Sequence, residues 1–120
     1  MKKIITAFMF ILLITGCSGG SYTDVTADEA KELIDSGDVQ VLDVRTPDEF
    51  AAGHIPSAKL VPLQVIESML SELDKDQKYL VVCRSGNRST QASGILVENG
   101  FTNIYNMTGG MNEWKYEIEQ

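Results

Sequence analysis

The apolar run Tyr79-Leu80-Val81-Val82 ends on Cys83, and Arg84-Ser85-Gly86-Asn87-Arg88 leads from it into a helix-like segment from Ser89. A stretch apolar at consecutive positions is covered on both faces, so it belongs at the centre of a sheet. No hairpin follows it. The chain turns directly into a helix, which makes this a strand-to-helix unit and fixes the kind of layering the rest must adopt.

The remaining sequence repeats the alternation. Tyr22 to Val25 reads as a short strand. Thr26-Ala27-Asp28-Glu29 is a capping box, opening a helix with Ala30, Leu33 and Ile34 on one face and Ser36-Gly37 as its stop. Val39 to Asp43 is a strand. Thr46-Pro47-Asp48-Glu49 is a second capping box, with proline at the first helical position and Gly53 as its end. Leu60-Val61 suits another strand. Gln64 to Leu73 has the spacing of an amphipathic helix with Val65, Ile66, Met69, Leu70 and Leu73 inward. After the charged turn Lys75 to Lys78 and the central strand, Thr90 to Glu98 continues as a helix, ended by Asn99-Gly100. Asn103 to Met107 is the last strand, and Gly109-Gly110 turns into a final helical piece holding Trp114. Short loops between alternating strands and helices predict an α/β fold with a mostly parallel sheet. One core accommodates a chain of 120 residues. In such sheets ligands bind beyond the carboxyl ends of the strands, where Asp43 and Cys83 both lie.

The first 16 residues read as a leader rather than as part of that fold. Lys2 and Lys3 precede the apolar run Ile4 to Ile14, which is short for a membrane span and suited to export. Leu13-Ile14-Thr15-Gly16-Cys17 resembles a bacterial lipobox, which implies cleavage before Cys17 and a lipid on its sulfur; a plain signal peptide with an incidental cysteine is the alternative. Residues 17–21 then form the lipidated cysteine and a flexible tether, and residues 22–120 the folded domain. Ser18-Gly19-Gly20-Ser21 would span only about 13 Å when fully extended. The expectation is an extracytoplasmic domain anchored by lipid to a bacterial membrane. Without Lys2 and Lys3 the chain holds 8 basic and 17 acidic residues, a net charge of −9. That balance argues against nucleic acid and against a domain lying flat on anionic lipid.

If Cys17 is lipidated, Cys83 has no internal partner, and a free thiol in an exported domain calls for a reason. Its setting supplies one. Gly86 and Asn87 tolerate positive φ, so the backbone can curl into a nest of inward-pointing N–H groups. Those amides and the following helix would favour an anion and lower the thiol pKa. Arg84 and Arg88 add charge suited to an oxyanion, and only Arg45 lies outside this loop among the arginines. The plainer reading is a buried structural cysteine flanked by solvated arginines.

Three stretches together resemble the rhodanese family. Val41-Leu42-Asp43-Val44-Arg45, Glu49-Phe50 and Gly53-His54-Ile55-Pro56-Ser57-Ala58 are similar to its N-terminal signature, with Ser57 where glycine is common. Cys83-Arg84-Ser85-Gly86-Asn87-Arg88-Ser89 resembles its active loop, and Gly109-Gly110-Met111-Asn112-Glu113-Trp114 its C-terminal signature. The resemblance spans about Tyr22 to Lys115. It implies a five-stranded, mostly parallel sheet with helices on both faces and a persulfide cycle at Cys83. A thiolate at Cys83 would take the outer sulfur of a donor such as thiosulfate, and a thiol or cyanide would receive it. The resemblance implies no metal or organic cofactor. Arg84 and Arg88, with Ser85, Gly86, Asn87 and Ser89, would bind the small anionic donor.

Loop length bears on neighbouring chemistry. In related phosphatases the arginine stands six residues after the cysteine. Here Arg88 stands five after Cys83, and a tighter ring of amides suits a sulfane sulfur better than a phosphate. A phosphatase or arsenate reductase is therefore the weaker reading. A carrier that holds the persulfide for a protein acceptor, with little turnover, is the other alternative. Asp43 and Arg45 are expected to support the site: Arg45 as an ion pair with Asp43 or Glu49, and Asp43 also as a holder of a loop arginine. His54, the one histidine, reads as structural rather than as a metal ligand, and Trp114 as packing at a core edge.

Overall fold

The computed structural model describes residues 21–120. The expected leader, Cys17 and the tether as far as Gly20 lie outside the described residues. One sheet holds β1 (Thr23–Val25), β2 (Val39–Asp43), β3 (Lys59–Leu60), β4 (Lys78–Val82) and β5 (Ile104–Met107). Their order is β1-β5-β4-β2-β3, with every pairing parallel. β4 is thus the central strand, as its unbroken apolar run predicts.

The two-residue period of β4 divides the core. Tyr79, Val81 and Cys83 face a layer built from α3 (Ile66–Met69) and α4 (Asn87–Glu98), where they meet Ile66, Ala92, Leu96 and Phe101. Leu80 and Val82 face the opposite layer, against α1 (Ala27–Ser36), with Met111 and Trp114 at its margin. Cys83 therefore continues the parity of its strand and is delivered to the α4 side. The fold is the expected five-stranded α/β sheet with helices on both faces.

Both capping boxes form. Thr26 Oγ1 accepts from the Glu29 amide at 3.1 Å, while Glu29 accepts from the Thr26 amide at 2.9 Å. α2 (Pro47–Ala52) begins in the same way, with the Thr46 amide donating to Glu49 at 3.1 Å and the Glu49 amide to Thr46 Oγ1 at 3.3 Å. Ser57 takes a left-handed φ of 69°, which accounts for glycine suiting that position.

Two helices differ from expectation. Gln64 to Leu73 is not one helix but a 3-10 turn (Leu63–Val65), the single turn of α3, and a second 3-10 turn (Leu70–Glu72). The Ser68 hydroxyl donates to the Val65 carbonyl at 2.7 Å, competing with the helical ladder, and Val65 leaves the helical region at φ −120°, ψ 6°. Val65 ends 43% exposed instead of inward. α4 starts at Asn87, earlier than the Ser89–Thr90 start that the sequence suggests, so Arg88 and Ser89 lie in its first turn.

Leu80 is fully buried between α1 and the sheet. Leu80→Ala is expected to cost about 3 kcal/mol of unfolding free energy, since the rigid sheet cannot close over the cavity. Urea denaturation should show a lower midpoint with an unchanged slope.

Candidate active site

The site is assembled where β4 ends and α4 begins. Cys83 is 1% exposed. Its Sγ accepts hydrogen bonds from the Gly86 amide at 3.1 Å and the Ser89 amide at 3.2 Å. α4 has no side-chain cap from its own N-cap residue, Gly86. Ser89 stands at the third helical position, the one whose N–H a capping oxygen normally takes. The sulfur occupies that role. Burial pushes the Cys83 thiol up, but the Ser89 hydroxyl and the Ser89, Gly86 and Ser85 amides outweigh it, so its pKa lies below the ordinary value. The Ser89 hydroxyl is buried and also reaches the Gly86 carbonyl at 3.2 Å, so its single proton is shared between that oxygen and the sulfur.

Gly86 makes the turn possible. Its φ is +100°, and a Cβ there would fall on the Thr108 carbonyl. Asn87, also expected to tolerate positive φ, is instead helical, with its side chain accepting from Gln91 at 2.9 Å. Ser85 is exposed and contributes its amide toward the sulfur.

Both loop arginines are held by one carboxylate. Arg88 donates to Glu49 through Nη1 at 2.7 Å and Nη2 at 3.0 Å. Arg84 donates through Nε alone, at 3.1 Å, and its side chain is 57% exposed. The Arg88 guanidinium beside Glu49 holds the carboxyl well below the usual carboxylate range, against the opposing effect of burial; Thr46 and Arg84 contribute further. The expectation that Asp43 holds a loop arginine is thereby corrected. Asp43 is consumed by Arg45, through contacts of 2.7, 2.9 and 3.1 Å from the guanidinium, and both side chains are buried. Arg45 also donates to the Gly53 carbonyl at 2.8 Å, tying the end of β2 to the end of α2. Arg45 therefore pairs with Asp43 and not with Glu49.

The scaffold reaches the loop from two further directions. The Met111 amide donates to the Cys83 carbonyl at 2.8 Å and the Asn112 amide to the Arg84 carbonyl at 2.9 Å. This approach requires glycine at 110, where φ is +62° and a Cβ would collide with the Arg84 carbonyl. From the other side, Thr90 Oγ1 donates to the Gly86 carbonyl at 2.7 Å and accepts from Asn106 Nδ2 at 3.1 Å, which also reaches Asp24 at 3.0 Å.

Cys83, Arg84, Ser85, Gly86, Arg88 and Ser89, expected together from the sequence, do meet at this turn. Glu49, expected as a cap or as a partner of Arg45, joins them through Arg84 and Arg88, and Asn106, expected only as a strand residue, joins them through Thr90. A polar side chain in an apolar strand, 1% exposed, is the signal that could have found Asn106. His54 bonds to the scaffold: Nδ1 lies 2.8 Å from the Phe50 carbonyl and the ring stacks on Phe50 at 3.7 Å. Trp114 packs at the margin of the second core layer and donates to the Glu117 carbonyl at 3.0 Å.

The model of the rhodanese-like domain family matches residues 26–117. A sulfurtransferase of Allochromatium vinosum is 40% identical over 85 residues, which cover 71% of this chain and 79% of that protein. The thiosulfate sulfurtransferase GlpE of Pseudoalteromonas translucida is 34% identical over 95 residues, covering 79% of this chain and 90% of that protein. Among solved structures, a rhodanese-like domain protein from Staphylococcus aureus superposes with a TM-score of 0.74 at 40% identity, covering 81% of this chain and 96% of that one. Sequence and backbone thus agree along the whole length that carries the amide-held cysteine, and the chain belongs to the rhodanese-like domain family.

Proposed function

We propose that the domain is a sulfurtransferase that moves sulfane sulfur from an anionic donor to a thiol or cyanide acceptor through a persulfide on Cys83. The observation that carries this reading is the buried sulfur at the start of α4, accepting from the Gly86 and Ser89 amides. A thiolate so held needs no general base. It attacks the outer sulfur of the donor, and the donor's S–S or S–SO3 bond breaks. The leaving group, sulfite if the donor is thiosulfate, departs with the bonding pair. Cys83 then carries the extra sulfur inside the ring of amides. An acceptor thiolate or cyanide attacks that outer sulfur, and Cys83 leaves as the thiolate from which the cycle began. Arg84 is the exposed cation at the mouth and meets the donor, while Arg88 is fixed within. The short spacing from Cys83 to Arg88 and the sulfurtransferase names of the relatives support sulfur over phosphoryl chemistry.

The leader supports a location. A lipid on Cys17 would hold the domain outside the cytoplasm, close to the bilayer of a bacterial membrane. Cys17→Ala is expected to abolish both the lipid and the cleavage before position 17, which intact-mass spectrometry of the protein recovered from cells would read.

Mass spectrometry tests the cycle. Incubation with excess sulfane donor should add about 32 Da to the protein, one sulfur atom on the thiol. The adduct should be absent in Cys83→Ser and be discharged by a thiol acceptor. A stable adduct with no turnover would favour the carrier reading, and Cys83-dependent hydrolysis of an aryl phosphate would favour the phosphatase. The pH dependence follows from the direction of the thiol shift. Thiolate is populated below the ordinary cysteine range, so alkylation of Cys83 should stay fast at pH values where a free thiol slows. Ser89→Ala removes one donor from a charged acceptor and is expected to slow alkylation at neutral pH roughly tenfold, with its pH midpoint moved upward.

A further inference from the structure

Thr90 stands one residue beyond Ser89, whose amide meets the sulfur, and it is exposed. Its hydroxyl donates to the Gly86 carbonyl at 2.7 Å, and its amide donates to the same oxygen at 3.2 Å. The buried Ser89 hydroxyl reaches that oxygen too, at 3.2 Å. Three protons thus compete for one carbonyl, which has two lone pairs. Of the two hydroxyls, that of Ser89 has a second acceptor within the site, the Cys83 sulfur. Whether its proton faces the carbonyl or the sulfur depends on how firmly Thr90 holds the carbonyl.

Asn106 sets the direction of the Thr90 proton. It is buried on β5, and its Nδ2 donates to Thr90 Oγ1 at 3.1 Å and to Asp24 Oδ1 at 3.0 Å. A carboxylate only accepts, so Asp24 keeps the nitrogen end of the amide towards itself and Thr90. Asn106 Oδ1 has no hydrogen-bond partner among the described residues, so nothing at that end opposes the arrangement. Were the amide reversed, its oxygen would accept from Thr90 and take the proton off the Gly86 carbonyl. With nitrogen facing it, Thr90 Oγ1 receives a proton from Asn106 and gives its own to the Gly86 carbonyl.

We propose that Thr90 is a positioning residue for the nucleophile: directed by Asn106, its hydroxyl occupies the Gly86 carbonyl and so turns the Ser89 proton onto the Cys83 sulfur. The inference rests on the reading of Cys83 as the attacking thiolate, and it adds residues that act on the sulfur only through Ser89. The chain of contacts runs from Asp24 on β1 through Asn106 and Thr90 to the Gly86 carbonyl, which Ser89 shares. No proton passes along it. It decides which of two acceptors the Ser89 hydroxyl faces.

The experiment follows the rate of Cys83 alkylation by iodoacetamide against pH, read by intact-mass spectrometry. Thr90→Val keeps the branched shape at an exposed helical position and removes the hydroxyl. It should slow alkylation at neutral pH about fivefold and move the pH midpoint upward. Thr90→Ser restores the hydroxyl and should stay within about twofold of wild type. In a Ser89→Ala background, Thr90→Val should change the rate by less than about twofold, because the proton it redirects is gone. A wild-type rate in Thr90→Val overturns the inference, as does a Thr90→Ser as slow as Thr90→Val. So does an equal effect with and without the Ser89 hydroxyl, which is what a merely structural threonine would give. Arg84, Arg88, Glu49 and the Asp43–Arg45 pair keep their charges in every variant, so the midpoint reports hydrogen bonding. Asp24→Ala tests the guide. Loss of a negative charge alone favours the thiolate and speeds alkylation. Release of the Asn106 amide should instead slow it about twofold, and have no effect on Thr90→Val. A faster or unchanged rate overturns the part given to Asn106. If wild-type Cys83 alkylates no faster than a free thiol at neutral pH, the thiolate reading itself falls. If wild type is fast and Thr90→Val matches it, only the positioning role falls.

Discussion

The hydrogen bonds from Gly86 and Ser89 to the Cys83 sulfur are the interaction on which the site depends. They couple a local folding problem to a chemical one. A helix begins with amides that lack carbonyl partners, and most helices satisfy one with a side-chain oxygen. α4 satisfies it with sulfur. The helix stabilises the thiolate, and the thiolate stabilises the first turn of the helix, because the two statements describe one free energy. The sign is that of an acid whose pKa is lowered on folding. The contribution is complete above the unfolded pKa and fades as pH falls through the folded one. The first turn of α4 is therefore strengthened by ionisation of the thiol that it holds.

Glu49 extends this coupling to α2. That helix buries none of its six residues, so hydrophobic packing does little to place it. Its position comes from directed bonds: the Thr46–Glu49 box, the Arg45 bond to the Gly53 carbonyl, and the two arginines of the active loop. Glu49 Oε1 takes both the Thr46 amide and Arg88, while Oε2 takes Arg84 and the second prong of Arg88. The carboxylate that starts a helix is thus the counter-ion of the Cys83 loop. A change in the loop's charge is felt by α2, and a change in α2 alters the charge at the loop.

The parts of this arrangement that were legible in the sequence are local. The apolar run of β4 declares its central place, and its parity carries Cys83 to the α4 side. Both capping boxes are readable because their partners lie three residues apart. Long-range polar pairing was not legible. Glu49 was legible as a cap and as a possible partner of nearby Arg45, but not as the partner of Arg84 and Arg88, 35 and 39 residues away along the chain. Arg45 had two plausible partners, Asp43 and Glu49, and in the fold it takes Asp43. The Gln64 to Leu73 segment has the right apolar spacing for a helix, but spacing does not report that a serine hydroxyl will take a carbonyl from the ladder. Asn106 enters the site through Thr90, a contact that exists only once β5 lies beside β4.

The C-terminal glycine pair explains why the loop amides are free to face the sulfur at all. A trans peptide sets its carbonyl and its N–H on opposite sides, so fixing one fixes the other. The Met111 and Asn112 amides take the carbonyls of Cys83 and Arg84 from outside the loop. With the Arg84 carbonyl turned outward, the Ser85 N–H in the same peptide plane is turned inward, and it is among the groups that lower the thiol pKa. Only glycine at 110 lets that turn come close enough, since a Cβ would displace the Arg84 carbonyl it must meet. The ring of inward donors is therefore held by acceptors satisfied from behind. The one matched segment that follows the loop, Gly109 to Trp114, is the one that orients the peptide planes around its sulfur.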